Sequence, residues 1–176
     1  MNAASPAQHT AQPIGSDALL AQLTEWGLPY TLFTHVPLRT VEEAKQVEAE
    51  MQQPGLSSLK IKNLYLRDRK KRNYLISVEQ DREIDLKALS KEIGAGGLSF
   101  GSSDRLMQNL GILPGAVSPL AMITGVGQGV RFYMDAAARD VDVIYMHPLV
   151  NDRTVMMARG DFLAFLERIG CEINWV

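Results

Sequence analysis

The 176-residue chain carries a single cysteine, Cys171, so it cannot close a disulfide on itself. It contains no apolar run near the ~20 residues that a membrane-spanning helix needs. Its first residues, Met1 to Gly15, are rich in Ala, Gln, Ser and Pro but lack the basic start and apolar block of a secretion signal. These absences predict a cytoplasmic protein with no membrane partner. Bulk charge is also missing. Eighteen Lys and Arg against twenty Asp and Glu leave a net charge of -2, so DNA coating is not expected and any nucleic-acid contact must come from a local basic patch. Only three histidines exist, His9, His35 and His147, with no paired Cys or His spacing for a metal. There is no G-x-S-x-G elbow and no G-x-x-x-x-G-K-[ST] phosphate loop, so no cofactor is implied. Cys171, between Gly170 and Glu172, has no histidine near it in sequence to activate a thiol.

With 46% hydrophobic residues the chain can bury one core, and the reading is a single domain over 16–176 behind a flexible tail, 1–15. Ser16 is placed to cap a helix bearing Leu19, Leu20, Leu23 and Trp26, closed by Gly27. Tyr30 to Thr34 reads as a strand, and Thr40 with Glu43 forms a capping box for a helix through Met51. Lys60 to Arg67 and Asn73 to Val78 form a predicted hairpin around a basic tip. Asp85 and Ser102 or Ser103 open further helices, with a short strand Leu98 to Phe100 between them. Leu120 to Thr124, Val130 to Met134, Val141 to Met146 and Thr154 to Met157 read as strands, followed by a helix Asp161 to Ile169 and a strand Ile173 to Val176. The sum is an α+β fold with a curved, mixed, largely antiparallel sheet flanked by helices.

Three segments carry candidate chemistry. Lys62 and Asn63 put an ammonium and an amide at the head of the apolar run Leu64-Tyr65-Leu66. A strand lysine can simply lay its stem along the sheet, but Lys60 and Lys62 share one face, so a ligand anion there would meet up to two positive charges. Asn63 points to the opposite face and suits bracing a neighbouring loop. The loop Gly111 to Pro119 reads either as a helix end followed by a Pro-Gly turn, or as backbone amides presented at Gly115 and Ala116 to an oxyanion, with Ser118 adding a hydroxyl. His147 ends an apolar strand just before Asn151-Asp152; a structural hydrogen bond and a site role are both open to it.

Lys62-Asn63-Leu64-Tyr65-Leu66, Leu98-Ser99-Phe100-Gly101, Leu113-Pro114-Gly115-Ala116-Val117-Ser118-Pro119 and His147-Pro148-Leu149 with Asn151, Asp152 and Thr154 together resemble the YbaK/prolyl-tRNA synthetase-associated editing family. The likeness runs from about Ser16 to Val176 and is greatest to its free-standing prolyl-tRNA deacylases, ProX or PrdX. It implies a trans-editing hydrolase that removes a wrongly attached amino acid, alanine before cysteine, from tRNA for proline, with prolyl-tRNA synthetase as a further candidate partner; the basic hairpin leaves a non-catalytic RNA-binding module on the same fold as the alternative. It also implies catalytic roles for Lys62, Gly115, Ala116, Ser118 and His147, and substrate contacts from Asn63, Gly111, Pro114, Val117, Asp152 and Thr154. Lys60, Arg67, Arg69, Lys70, Lys71 and Arg72 are the candidate RNA contacts, although a solvated turn would carry the same charges. The chain departs from the family at Ser58, Leu59 and Lys60, where Gly and His are common, at Gly97, where a basic residue is frequent, and at Ser118 and Leu120, where Thr and Phe are usual.

Overall fold

The computed structural model describes residues 13–38 and 40–176. Most of the expected tail therefore lies outside the described residues. Within them, Ile14 packs on the main core and Pro13 sits against Gly111.

Helix α1 (Ser16–Glu25) buries Leu19, Leu20 and Leu23 and ends at Gly27, whose φ of 68° is the left-handed turn that glycine adopts without a Cβ clash. Its cap differs from the expected one. Gly15 stands at the N-cap with no side-chain bond, and Ser16 lies inside the helix, where its hydroxyl oxygen accepts from Arg153 Nη1 at 3.3 Å. Strand β1 (Thr31–Thr34) leads to α2 (Val41–Met51), opened by the Thr40–Glu43 capping box in both directions. Strands β2 (Ser58–Arg67) and β3 (Asn73–Glu79) form the predicted hairpin. Helix α3 (Leu86–Glu92) is capped by Asp85, β4 (Ser99–Phe100) is short, and α4 (Ser103–Leu110) is capped by Ser102.

The run Leu120 to Thr124 is helical and not a strand. It forms a 3-10 turn (Pro119–Ala121) that continues into α5 (Met122–Gly125). Ser118 Oγ accepts the Leu120 N–H at 3.2 Å, and Pro119 arrives with its φ already helical. Leu120, Ala121 and Met122 are all buried, so the run has no polar face whose period could have separated helix from strand. Strands β5 (Arg131–Met134), β6 (Val143–Met146) and β7 (Arg153–Ala158), helix α6 (Arg159–Arg168) and β8 (Ile173–Trp175) complete the chain.

The strands form one sheet in the order β1-β7-β6-β2-β3-β5-β8, with β4 paired to β2. Four pairings are antiparallel (β1–β7, β6–β7, β2–β3, β2–β4) and three parallel (β2–β6, β3–β5, β5–β8). The main core packs α1, α4, α5 and α6 residues against one face of this sheet, and α3 covers Leu66, Tyr74, Ile76 and Val78 on the other. The feature that positions the site is a fork. β3 runs along one edge of β2 from Ile61 to Arg67, while on the opposite edge β6 pairs only with Ser58 to Lys60 and β4 only with Leu66 and Arg67. Among the described residues, no strand covers that edge of β2 between them.

Candidate active site

A cavity of about 400 Å³ opens at the fork, walled by β2, the end of β6, the loop at Gly115 and helix α2. Of the residues singled out from sequence, Lys60, Lys62, Asn63, Gly115, Val117, His147 and Thr154 line it. Gly111, Pro114, Ala116, Ser118 and Asp152 lie outside that lining.

The two strand lysines are not a pair of free cations. Lys60 Nζ is 3.0 Å from Glu48 Oε2 on α2, and Lys62 Nζ donates to the backbone carbonyl of Arg82 in the turn after β3. Lys62, in the cavity lining, therefore has one hydrogen committed and others available to a ligand. That turn is itself pinned. Asp135 Oδ2 accepts from the Glu79 N–H at 3.0 Å and from Arg82 Nη1 at 3.2 Å. Burial pushes the Asp135 carboxyl upward, but the Glu79 and Ala137 N–H groups and the Arg82 guanidinium outweigh it and hold it below its usual value. Asn63 braces the adjacent strand and not a loop: its Oδ1 accepts the Ser77 hydroxyl at 2.6 Å.

His147 Nδ1 lies 2.8 Å from the Arg153 carbonyl oxygen. A carbonyl only accepts, so the proton sits on Nδ1 and Nε2 is left as an acceptor. Burial lowers the pKa of His147, the repulsion of His35 adds to this, and the Arg153 carbonyl and Asp152 oppose it. The ring is held neutral. His35, which sequence reasoning gave no role, lies with its ring centroid 6.2 Å from that of His147. Its Nδ1 donates to the Val36 carbonyl at 2.7 Å, so its Nε2, 2.8 Å from Thr154 Oγ1, accepts the Thr154 hydroxyl and leaves that oxygen's lone pairs for a donor in the cavity. One signal for it was present: His35 follows the apolar strand Thr31–Thr34 as His147 follows Val143–Met146. Glu48, Arg82 and Asp135 carried no comparable signal, because each acts through a partner distant in sequence.

The glycine-proline loop contributes less than the sequence offered. The Ala116 N–H is spent on the Leu113 carbonyl at 3.2 Å, and Ser118 is buried as the cap of the 3-10 turn. Gly115, at φ 88°, faces the cavity with its α-carbon bare; a Cβ there would stand 3.6 Å from Asn151 Nδ2. Gly111 is the C-cap of α4, away from the cavity. Cys171 is buried and its thiol is pushed up to about 11 by burial and by Glu172, which leaves it unreactive.

At the hairpin tip, Asp68 is buried and accepts from the Arg72 N–H (2.9 Å), Arg72 Nε (2.6 Å) and Tyr74 Oη (3.0 Å). Burial opposes its ionisation, yet these bonds bring its pKa down to about 2. Arg72 is therefore structural. Arg69, Lys70 and Lys71 are exposed and Arg67 half-exposed, with the Arg69 side chain against Gly97.

A model of the aminoacyl-tRNA editing domain matches residues 35–165. The chain belongs to this family. An editing domain of this kind is an aminoacyl-tRNA deacylase, which hydrolyses the ester between an amino acid and a tRNA's terminal ribose. The prolyl-tRNA editing protein ProX of Acetoanaerobium sticklandii is 36% identical over 145 residues, spanning 82% of this chain and 85% of that protein. The prolyl-tRNA synthetase associated domain-containing protein 1 of Mus musculus is 33% identical over 74% of this chain and 81% of its own length. A solved structure described as a candidate trans-editing enzyme for prolyl-tRNA synthetase superposes with a TM-score of 0.62 at 19% identity, covering 90% of this chain and 94% of that one, so the editing domain shares its fold. Among the described residues, no helix is long and apolar enough to cross a membrane.

Proposed function

We propose that this editing domain acts in trans on mischarged tRNA for proline and removes alanine. The observation that carries the reading is the cavity itself, which combines a lysine, a neutral histidine acceptor and a bare glycine around about 400 Å³. A synthetase pocket shaped for proline rejects a smaller side chain by only ~1 to 3 kcal/mol, so a second sieve that admits the small residue and excludes the large one is required. The apolar side chains of Leu38, Ala44 and Met51 narrow the α2 side of this cavity, which suits a methyl group better than a pyrrolidine ring.

In this reading Lys62 holds the ester carbonyl or the terminal phosphate, stabilising charge that develops as water attacks. His147 Nε2 accepts a ribose hydroxyl and so fixes the ester's orientation, and Thr154 supplies a second acceptor. Among the described residues the carboxylate in the cavity lining, Glu48, is paired with Lys60, and His147 Nε2 is taken up by the ribose hydroxyl in this reading, so the substrate's own ribose hydroxyl places the attacking water. A 2'-deoxy terminal adenosine should then react at least tenfold more slowly; equal rates would exclude that route. Arg67, Arg69, Lys70 and Lys71 at the hairpin tip meet the acceptor-stem phosphates, and prolyl-tRNA synthetase is the natural source of the mischarged substrate.

The deciding experiment compares deacylation of alanyl-, cysteinyl- and prolyl-tRNA for proline by the wild type and Lys62→Ala. Alanine release alone, lost in Lys62→Ala, supports the proposal. Release of cysteine in preference to alanine would reassign the substrate, and release of proline would remove the sieve argument.

A further inference from the structure

A cavity that touches four consecutive residues of a strand, Lys60, Ile61, Lys62 and Asn63, is in contact with the strand's edge, because successive side chains alternate between faces. The two faces are indeed separate here: Ile61 packs on the main core while Lys62 reaches the Arg82 carbonyl on the other side. What the four residues share is backbone.

The ladder tells which backbone groups point into the cavity. The Gln80 N–H donates to the Lys60 carbonyl at 3.0 Å, so Lys60, Lys62 and Leu64 direct their polar groups toward β3. Ile61, Asn63 and Tyr65 direct theirs the other way, and the Tyr65 carbonyl accepts the Gly101 N–H at 3.0 Å on that edge. β6 is in parallel register with β2 up to Lys60↔Tyr145 and then leaves. The next rung, opposite Lys62, would join a partner N–H to the Ile61 carbonyl and a partner C=O to the Asn63 N–H. Among the described residues nothing fills it, although Ile61 and Asn63 are half-buried, where an unmade backbone bond costs free energy.

We propose that this vacant rung is the subsite for the aminoacyl group, which binds as a one-residue strand in the place β6 gives up. The α-ammonium donates to the Ile61 carbonyl and the ester carbonyl accepts the Asn63 N–H, which puts the reacting carbon beside Lys62 and between β2 and the end of β6. The spacing of amine and carbonyl in an α-amino ester is that of a peptide residue, so every amino acid satisfies the rung and discrimination is left to the cavity around the side chain. This inference rests on the deacylase reading above and adds an amine requirement that the reading alone does not contain.

The test uses the full chain and two esters on the same tRNA, alanyl and propionyl, which differ only in the ammonium group. Each enzymatic rate is divided by that ester's own rate without enzyme, because an α-ammonium activates the ester intrinsically. The alanyl ester is expected to be accelerated at least tenfold more than the propionyl ester. In parallel, 3'-deoxy-3'-(L-alanylamino)adenosine, which cannot be hydrolysed, should shift the backbone 15N–1H signal of Asn63 and bind at least tenfold tighter than its propionyl counterpart. Equal acceleration of the two esters would overturn the subsite while leaving the deacylase reading intact. Binding without a shift at Asn63, or failure of the alanyl analogue to bind, would overturn it too. Absence of alanyl-tRNA hydrolysis would instead reject the reading beneath it.

Discussion

The proton on His147 Nδ1 is held by the Arg153 carbonyl, and burial resists a second proton on Nε2, so the folded pKa lies below the ordinary 6.5. Two outcomes follow from the sign of that shift. The role proposed for His147 needs a neutral ring, so kcat/KM is expected to stay level as pH falls through 6.5 and to drop only below it; a break at 6.5 would show an exposed imidazole. The unfolded chain, in contrast, takes up its proton near 6.5 while the folded one refuses it. Stability from this residue is therefore complete above 6.5 and declines as pH falls below that value, a decline that should be shallower in His147→Asn when thermal midpoints are measured across pH 7 to 5. At Cys171 the raised pKa predicts alkylation by iodoacetamide at pH 8 about 100-fold slower in the folded protein than after denaturation. Thr154 was read from sequence as a contact, but its dependence on His35 was not visible, because 119 positions separate them in the chain.

Among the elements, the turn after β3 is tested at Arg82, which lies outside the cavity lining yet sets through its carbonyl where the Lys62 ammonium sits. Arg82→Ala removes the bond to Asp135 while leaving the carbonyl in the chain. It is expected to lower kcat several-fold with little change in thermal midpoint, and Arg82→Lys should restore much of the loss. The hairpin tip makes the opposite prediction. Asp68→Asn loses a buried carboxylate bonded to Arg72 and Tyr74 and should cost about 1 to 3 kcal/mol of stability with activity per folded molecule retained. Because the Asp68 pKa falls to about 2 from the ordinary 3.8, its contribution is present above pH 3.8 and is lost as pH falls toward 2. Caps such as Thr40–Glu43, Asp85 and Ser102 were legible because donor and acceptor are neighbours in sequence. The helix at Leu120 to Thr124 was not, since its first three residues are buried and only Ile123 and Thr124 are half-exposed, too short a run to show a period, although Ser118-Pro119 before it was a usable helix-start signal.

For the molecule as a whole, a net charge of -2 with cations gathered in residues 67–72 makes the proposed RNA contact a local and salt-sensitive one. Replacing Lys70 and Lys71 together by Ala should weaken tRNA binding and flatten its dependence on salt, with hydrolysis of a short alanyl-adenosine ester unchanged. The fold class and the mixed sheet could be read from the alternation of helix and strand signals, but the strand order could not. Nothing local in Ser58 to Lys60 indicates a parallel partner at Val143 to Tyr145, and it is this pairing that creates the fork. The same pairing has a consequence for biosynthesis. As the chain leaves the ribosome, Lys62 and the basic hairpin emerge well before His147, and Ser57 must wait 85 residues for the Asp142 carboxylate that ties β2 to the start of β6. With the RNA contacts proposed at the hairpin tip, a nascent chain carries them and Lys62 before it carries the His147 and Thr154 on which the proposed hydrolytic centre depends.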